Sequence, residues 1–223
     1  MASGWRRAAM LVLTAVGVAA AVAFIAGLAL DAPALRMAVK PVPVLCLLVW
    51  VGIAANLPRR ILIGGGLAWS AVGDVFLAMI DLGGDAKLYF ALGLGAFLIA
   101  HLCYIGFFVS WNRRLNPVRL LPFLAWGAVV FLLVRPSLGD LTVPVIAYML
   151  VIVTMMWRAF CLTDGYGRSV SRAQTAGWGA LLFGLSDTLI ALNKFWEPVP
   201  AAAYAIILTY LLGQIGIARA SRG

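Results

Sequence analysis

The sequence predicts an all-α membrane protein of eight transmembrane helices with both termini cytoplasmic, and three observations carry that prediction. Of its 223 residues, 64% are hydrophobic and only 11% are charged, and mean hydropathy is +1.03. A soluble domain carries roughly a quarter of its residues as charges, so this chain has too little polar surface to coat a globule. The apolar residues fall in runs close to the ~20 residues that cross a hydrocarbon core. The runs are continuous rather than alternating and rich in Leu, Ala and Gly. Inside a bilayer every backbone amide must be paired internally, and with that composition helices satisfy the requirement rather than a barrel. Finally, the basic residues alternate between the two sides of the resulting topology.

The predicted spans are residues 8–30, 41–56, 61–80 and 89–109 in the first half, and 120–134, 143–160, 176–193 and 200–218 in the second. They form a single integral membrane domain over residues 1–223, with no loop long enough for a soluble one. The first run follows Arg6 and Arg7, and its Leu-Ala-Leu-Asp-Ala end resembles a signal-peptidase site. Its apolar core exceeds the ~7–15 residues of a signal region, so it is read as a span. The second and fifth runs are short and are expected to borrow flanking residues. With eight spans, one side collects Arg6, Arg7, Arg59, Arg60, Arg113, Arg114, Arg119, Arg158, Arg168, Arg172, Arg219 and Arg222. The other side holds Arg36, Lys40, Lys87, Arg135 and Lys194. Lys and Arg are retained in the cytoplasm, which places both termini there. Ala- and Arg-rich usage suggests a bacterial cytoplasmic membrane.

Two spans are alike. Gly66 to Met79 aligns without gaps to Gly179 to Leu192, matching Gly66 to Gly179, Asp74 to Asp187 and Ala78 to Ala191. The same offset carries His101 onto Gln214. This is the pattern of a four-plus-four parallel repeat, as in some transporters. It singles out Asp74 and Asp187. A carboxylate at mid-helix costs roughly 2.5–3.5 kcal/mol on the lenient insertion scale, so such residues usually face a cavity or a partner. Both helices run outward, and each aspartate lies about 10 Å of helix rise from the outer end. Small Ser70, Gly73, Gly184 and Ser186 flank them, which suits helices meeting around a polar pocket. Two carboxyls close together in a low dielectric cannot both ionise readily, and an acid beside a carboxylate base is equipment for acid–base hydrolysis. The same pair would also serve a proton-coupled transporter, or merely bond neighbouring helices, Lys40 or His101.

Other polar residues rank below these. His101, the only histidine, fits a proton shuttle or a helix-bridging hydrogen bond equally; flush helix ends would set it about two turns deeper than the aspartates. Tyr104 and Tyr148 read first as interhelical hydrogen-bonders. Lys40, with Pro41 opening the second span, suits a phosphate or the aspartates, or simply snorkels to the interface. A single histidine and no cysteine cluster exclude a three-histidine zinc site, and Cys46, Cys103 and Cys161 read as packing residues. No metal or cofactor is implied. The basic residues never cluster with exposed aromatics, which argues against nucleic acid. Gly64-Gly65-Gly66 opens a membrane helix and lacks the strand and lysine of a phosphate loop.

Several segments resemble a known family. They are Lys40-Pro41-Val42-Pro43, Ser70 to Leu77 around Asp74, Gly93 to Tyr104 around Phe97 and His101, and Tyr148 with Met155 to Ala159. The most recognisable is Gly179 to Phe195, with Phe183, Ser186, Asp187 and Asn193. Their order and spacing, over roughly residues 35–215, are similar to the YhhN-like integral membrane proteins, which include the lysoplasmalogenases. The resemblance implies hydrolysis of the vinyl-ether bond of a lysophospholipid, releasing a fatty aldehyde and glycerophosphoethanolamine or glycerophosphocholine. The residue chemistry read above is compatible with that reaction: Asp74 and Asp187 would be catalytic, with Lys40, Ser70, His101, Tyr104, Tyr148, Ser186 and Asn193 binding substrate or supporting the aspartates. Substrate lipid and membrane lipid are the expected partners, and the sequence sets no oligomeric state. The competing expectations are a proton-coupled lipid or small-solute transporter, and a structural or sensory membrane protein.

Overall fold

A computed structural model describes residues 2–54, 57–164 and 170–221. Asn56, Arg168 and Arg222, used above to bound a span and to count charges, lie outside them. The helices are α1 (Ala2–Ala29), α2 (Pro33–Val39), α3 (Val42–Ala54), α4 (Leu57–Asp81) and α5 (Ala86–Trp111), followed by α6 (Leu121–Val134), α7 (Thr142–Phe160), α8 (Val170–Phe195) and α9 (Ala202–Ala220). Short 3-10 turns precede and follow α6 and α7. Eight stretches among the described residues are long and apolar enough to cross a membrane.

Most helices run several residues past the predicted apolar runs, because an apolar run measures the hydrocarbon crossing whereas the helix continues into the headgroups. The two short runs reach full crossing length this way. The second span becomes Pro33–Ala54 and the fifth Pro117–Ser137. This corrects the placement of Lys40: it does not stand just before its span but seven residues inside it. The backbone stays helical across the Lys40–Pro41 turn, with φ −55° and ψ −47° at Lys40. Lys40 donates its N–H to the Arg36 carbonyl at 2.9 Å, and Leu45 donates to that of Pro41 at 3.0 Å.

The chain divides into two compact units, residues 1–100 with 221–223, and residues 101–220. In the first, α1 packs on α3 through Gly17, where a Cβ would touch Cys46 and Pro43 at ordinary contact distance. Near the end of α2, Arg36 reaches both Asp31 at 3.4 Å and Asp81 at 3.5 Å, tying the α1–α2 turn to the end of α4. Gly83, with φ +85°, ends α4 in the left-handed conformation that glycine adopts without a steric cost.

The second unit is built on a seam between α8 and α9. A Cβ on Gly179 would stand 2.7 Å from the Ile217 nitrogen, and one on Gly213 2.8 Å from the Phe183 nitrogen. Only glycine allows that approach, which replaces the weak hydrophobic drive between membrane helices with close packing. Apolar side chains such as Val129, Leu132, Leu150, Leu208 and Leu212 are exposed on the outside of this unit, as lipid-facing positions should be.

Beyond α5, polar side chains tie the turns down. Arg158 is 2% exposed rather than a free loop charge. It donates to the carbonyl oxygens of Arg114, at 2.8 Å, and Asn112. Arg119 pairs with Asp164 at 2.6 Å and also donates to the Phe160 carbonyl and the Thr163 hydroxyl.

Candidate active site

Asp187 lies eight residues before the end of α8, with its side chain 13% exposed. Two neighbours converge on the same carboxylate oxygen. The hydroxyl of Tyr148, from α7, donates to Oδ2 at 2.5 Å. Nε2 of His101, from α5, stands 3.7 Å from that atom, beyond a hydrogen bond but within electrostatic reach. The His101 and Tyr148 rings meet edge to face with centroids 5.3 Å apart.

Phe183 sets the depth of His101. It lies one turn before Asp187 on α8, and its ring meets the imidazole edge to face at 4.7 Å. The expectation of a histidine two turns deeper assumed that helix ends lie flush. Ring packing fixes the register between helices, and it brings His101 level with Asp187.

Tyr104 stands one turn further along α5, fully buried. Its hydroxyl donates to Oε1 of Gln214 in α9 at 2.6 Å, and its ring lies 6.4 Å from Phe183. Phe183 also packs on Tyr210 at 5.3 Å. Gln214 is the residue that reasoning on site chemistry passed over. The signal was available, since it is the one side-chain amide of α9. Ser186 donates to the Ile206 carbonyl at 3.1 Å, pinning α8 to α9. Asn193 is exposed near the end of α8, and its Oδ1 accepts from the Val199 N–H at 3.0 Å, bracing the turn into α9.

In the first unit, Ser70 and Asp74 stand one turn apart on the same face of α4 and are 0% and 2% exposed. Asp74 lies seven residues before the helix ends. Gly73 makes room for Phe97, whose ring atoms a Cβ there would meet at 2.7 Å, and Gly93 makes room for Leu77. These small residues bring α4 and α5 together beside the aspartate. Lys40 is half-buried at the α2–α3 turn. Among the described residues, no group of three His, Cys, Asp or Glu side chains could hold a metal ion.

What the second unit's geometry offers chemically is a carboxyl oriented by a phenol and flanked by an imidazole, inside a membrane-spanning helix. Such a group can give and take a proton at a fixed point without a covalent intermediate.

Comparison with known proteins finds relatives of the chain. Human lysoplasmalogenase TMEM86B is 34% identical over 183 residues, covering 79% of this chain and 71% of its own length. Bovine lysoplasmalogenase TMEM86A is 34% identical over 187 residues, covering 81% and 75%. A lysoplasmalogenase of Mycobacterium bovis is 31% identical over 136 residues, covering 56% and 48%. No solved structure matches the chain. The YhhN family pattern matches residues 35–221, and the chain belongs to the YhhN family.

Proposed function

We propose that this protein is a lysoplasmalogenase: an integral membrane hydrolase that cleaves the vinyl-ether bond of a lysoplasmalogen to a fatty aldehyde and glycerophosphoethanolamine or glycerophosphocholine. The observation that carries the reading is Asp187, an intramembrane carboxyl held by Tyr148 at 2.5 Å beside His101, in a chain one-third identical to proteins named lysoplasmalogenase. Those relatives are named for hydrolysis, which favours an enzyme over a transporter.

A vinyl ether is cleaved by protonation at carbon. The acid's proton goes to the alkenyl carbon remote from oxygen, leaving an oxocarbenium ion. Water adds to the cationic carbon and gives up a proton to a carboxylate. The hemiacetal then breaks its bond to the glycerol oxygen, which takes the hydroxyl proton, and aldehyde and alcohol separate. In this reading Asp187 and Asp74 divide the acid and base roles, Tyr148 orients Asp187, and His101 relays protons. Lys40, inside its span, offers a cation to the headgroup phosphate. Ser70 supports Asp74 from one turn away on α4, Tyr104 acts through Gln214, and Ser186 and Asn193 hold the end of α8 that carries Asp187. A bacterial cytoplasmic membrane is the proposed location.

The test is aldehyde release from lysoplasmalogen by the purified full-length chain. Asp187→Asn and Asp74→Asn are each expected to lower kcat by about 100-fold or more, the usual weight of a general acid or base, while thermal unfolding stays within a few degrees of the parent. Full activity in both variants would refute catalysis by these carboxyls. Lysoplasmalogen left intact by the parent chain would refute the hydrolase reading itself.

A further inference from the structure

Hydrolysis inside a bilayer needs water where hydrocarbon excludes it. The second unit carries buried groups suited to holding it. His101 and Gln214 are both 0% exposed. Among the described residues, Nδ1 and Nε2 of His101 and Nε2 of Gln214 have no hydrogen-bond partner. Buried polar atoms in folded proteins are almost always paired, with protein or with internal water.

These atoms are grouped rather than scattered. His101 and Tyr104 stand one turn apart on α5, and both rings lie against Phe183. The Tyr104 hydroxyl donates to Gln214 Oε1 and so fixes which way the amide faces. Gln214 Nε2 has protons to donate, and the His101 ring offers one donor and one acceptor in its neutral form. An internal water needs two to four such partners. His101 Nε2 can close on Asp187 by a small ring movement from 3.7 Å, whereas Nδ1, on the ring's other edge, is left for a different partner.

We propose that His101, Tyr104 and Gln214 line an internal water site beside Asp187, which supplies the water that captures the oxocarbenium ion. Its catalytic purpose rests on the hydrolase reading above; its existence does not. In the step it serves, the water oxygen bonds to the cationic carbon. One water proton passes to the Asp187 carboxylate, directly or through His101, and the hemiacetal keeps the other until it moves to the departing glycerol oxygen.

Radiolytic hydroxyl-radical labelling of the purified chain in lipid nanodiscs, read by mass spectrometry, tests the site without substrate, since radicals form from whatever water is held locally. Tyr104 and Phe183 are expected to label about tenfold faster than Phe107 and Phe108, which are equally buried at 0% exposure. Gln214→Leu should abolish that excess. Tyr104→Phe, which keeps the ring packed on Phe183, should lower the labelling of Phe183. In turnover, both variants should lower kcat and leave KM unchanged. Labelling of Tyr104 and Phe183 no faster than that of Phe107, or excess labelling that neither variant reduces, would overturn the proposal. Fast labelling in a chain that releases no aldehyde would uphold the water site and sink the hydrolase reading.

Discussion

Tyr148 engages one oxygen of the Asp187 carboxyl. Its hydroxyl holds Oδ2 at 2.5 Å, so in the proposed reaction Oδ1 is the oxygen that exchanges the proton. Tyr148→Phe keeps the ring against His101 and removes only the hydroxyl. We expect kcat to fall about tenfold with KM nearly unchanged, the mark of an interaction that orients the reacting group rather than binding substrate. Steady-state kinetics of aldehyde release checks this, and a rise in KM at constant kcat would assign Tyr148 to substrate binding instead. Asp187 itself was legible in the sequence, because a carboxyl at mid-span is too costly to keep without a use. Its partners were not. Tyr148 and His101 reach it from two other helices, and nothing in residue spacing along one chain reports which side chains meet across three.

At the scale of elements, the α8–α9 seam decides where the site residues stand. Gly179, Gly213 and Gly216 let the two backbones touch, which sets Phe183 against Tyr210 and holds Gln214 within reach of Tyr104. Gly179→Leu should destabilise the protein by about 3 kcal/mol through overpacking, read as a lower unfolding temperature in detergent. Gly95, with nothing within 4 Å of its would-be Cβ, is the matched control. Gly95→Ala should be neutral or stabilising by up to ~1 kcal/mol, since a helical glycine gives up backbone entropy on folding. The clasp of Arg158 on the Asn112 and Arg114 carbonyls makes a second prediction. Arg158→Met leaves those carbonyls without their charged donor and should cost about 2–3 kcal/mol. Limited proteolysis near residues 112–116 should then be faster than in the parent. Gly73 and Gly184 were visible in the sequence as small residues near the aspartates, but which glycines touch backbone and which face open space depends on helix pairing.

At the scale of the whole molecule, charge placement predicts the topology. Twelve basic residues on one side against five on the other predict that both termini face the cytoplasm. A reporter fused to the C-terminus should therefore fluoresce as a cytoplasmic protein, and a periplasm-dependent phosphatase fused there should be inactive. The reverse pair of results would invert the topology. The sequence by itself determined the eight apolar crossings, the helical class and the identity of the acidic candidates. These follow from two one-dimensional quantities, the length of an apolar run and the cost of a charge within it. Tertiary structure alone decided that His101 stands level with Asp187 and that Gln214 belongs beside Tyr104. Each depends on the register and approach of neighbouring helices, which side-chain packing sets in three dimensions and the order of residues along the chain does not encode locally.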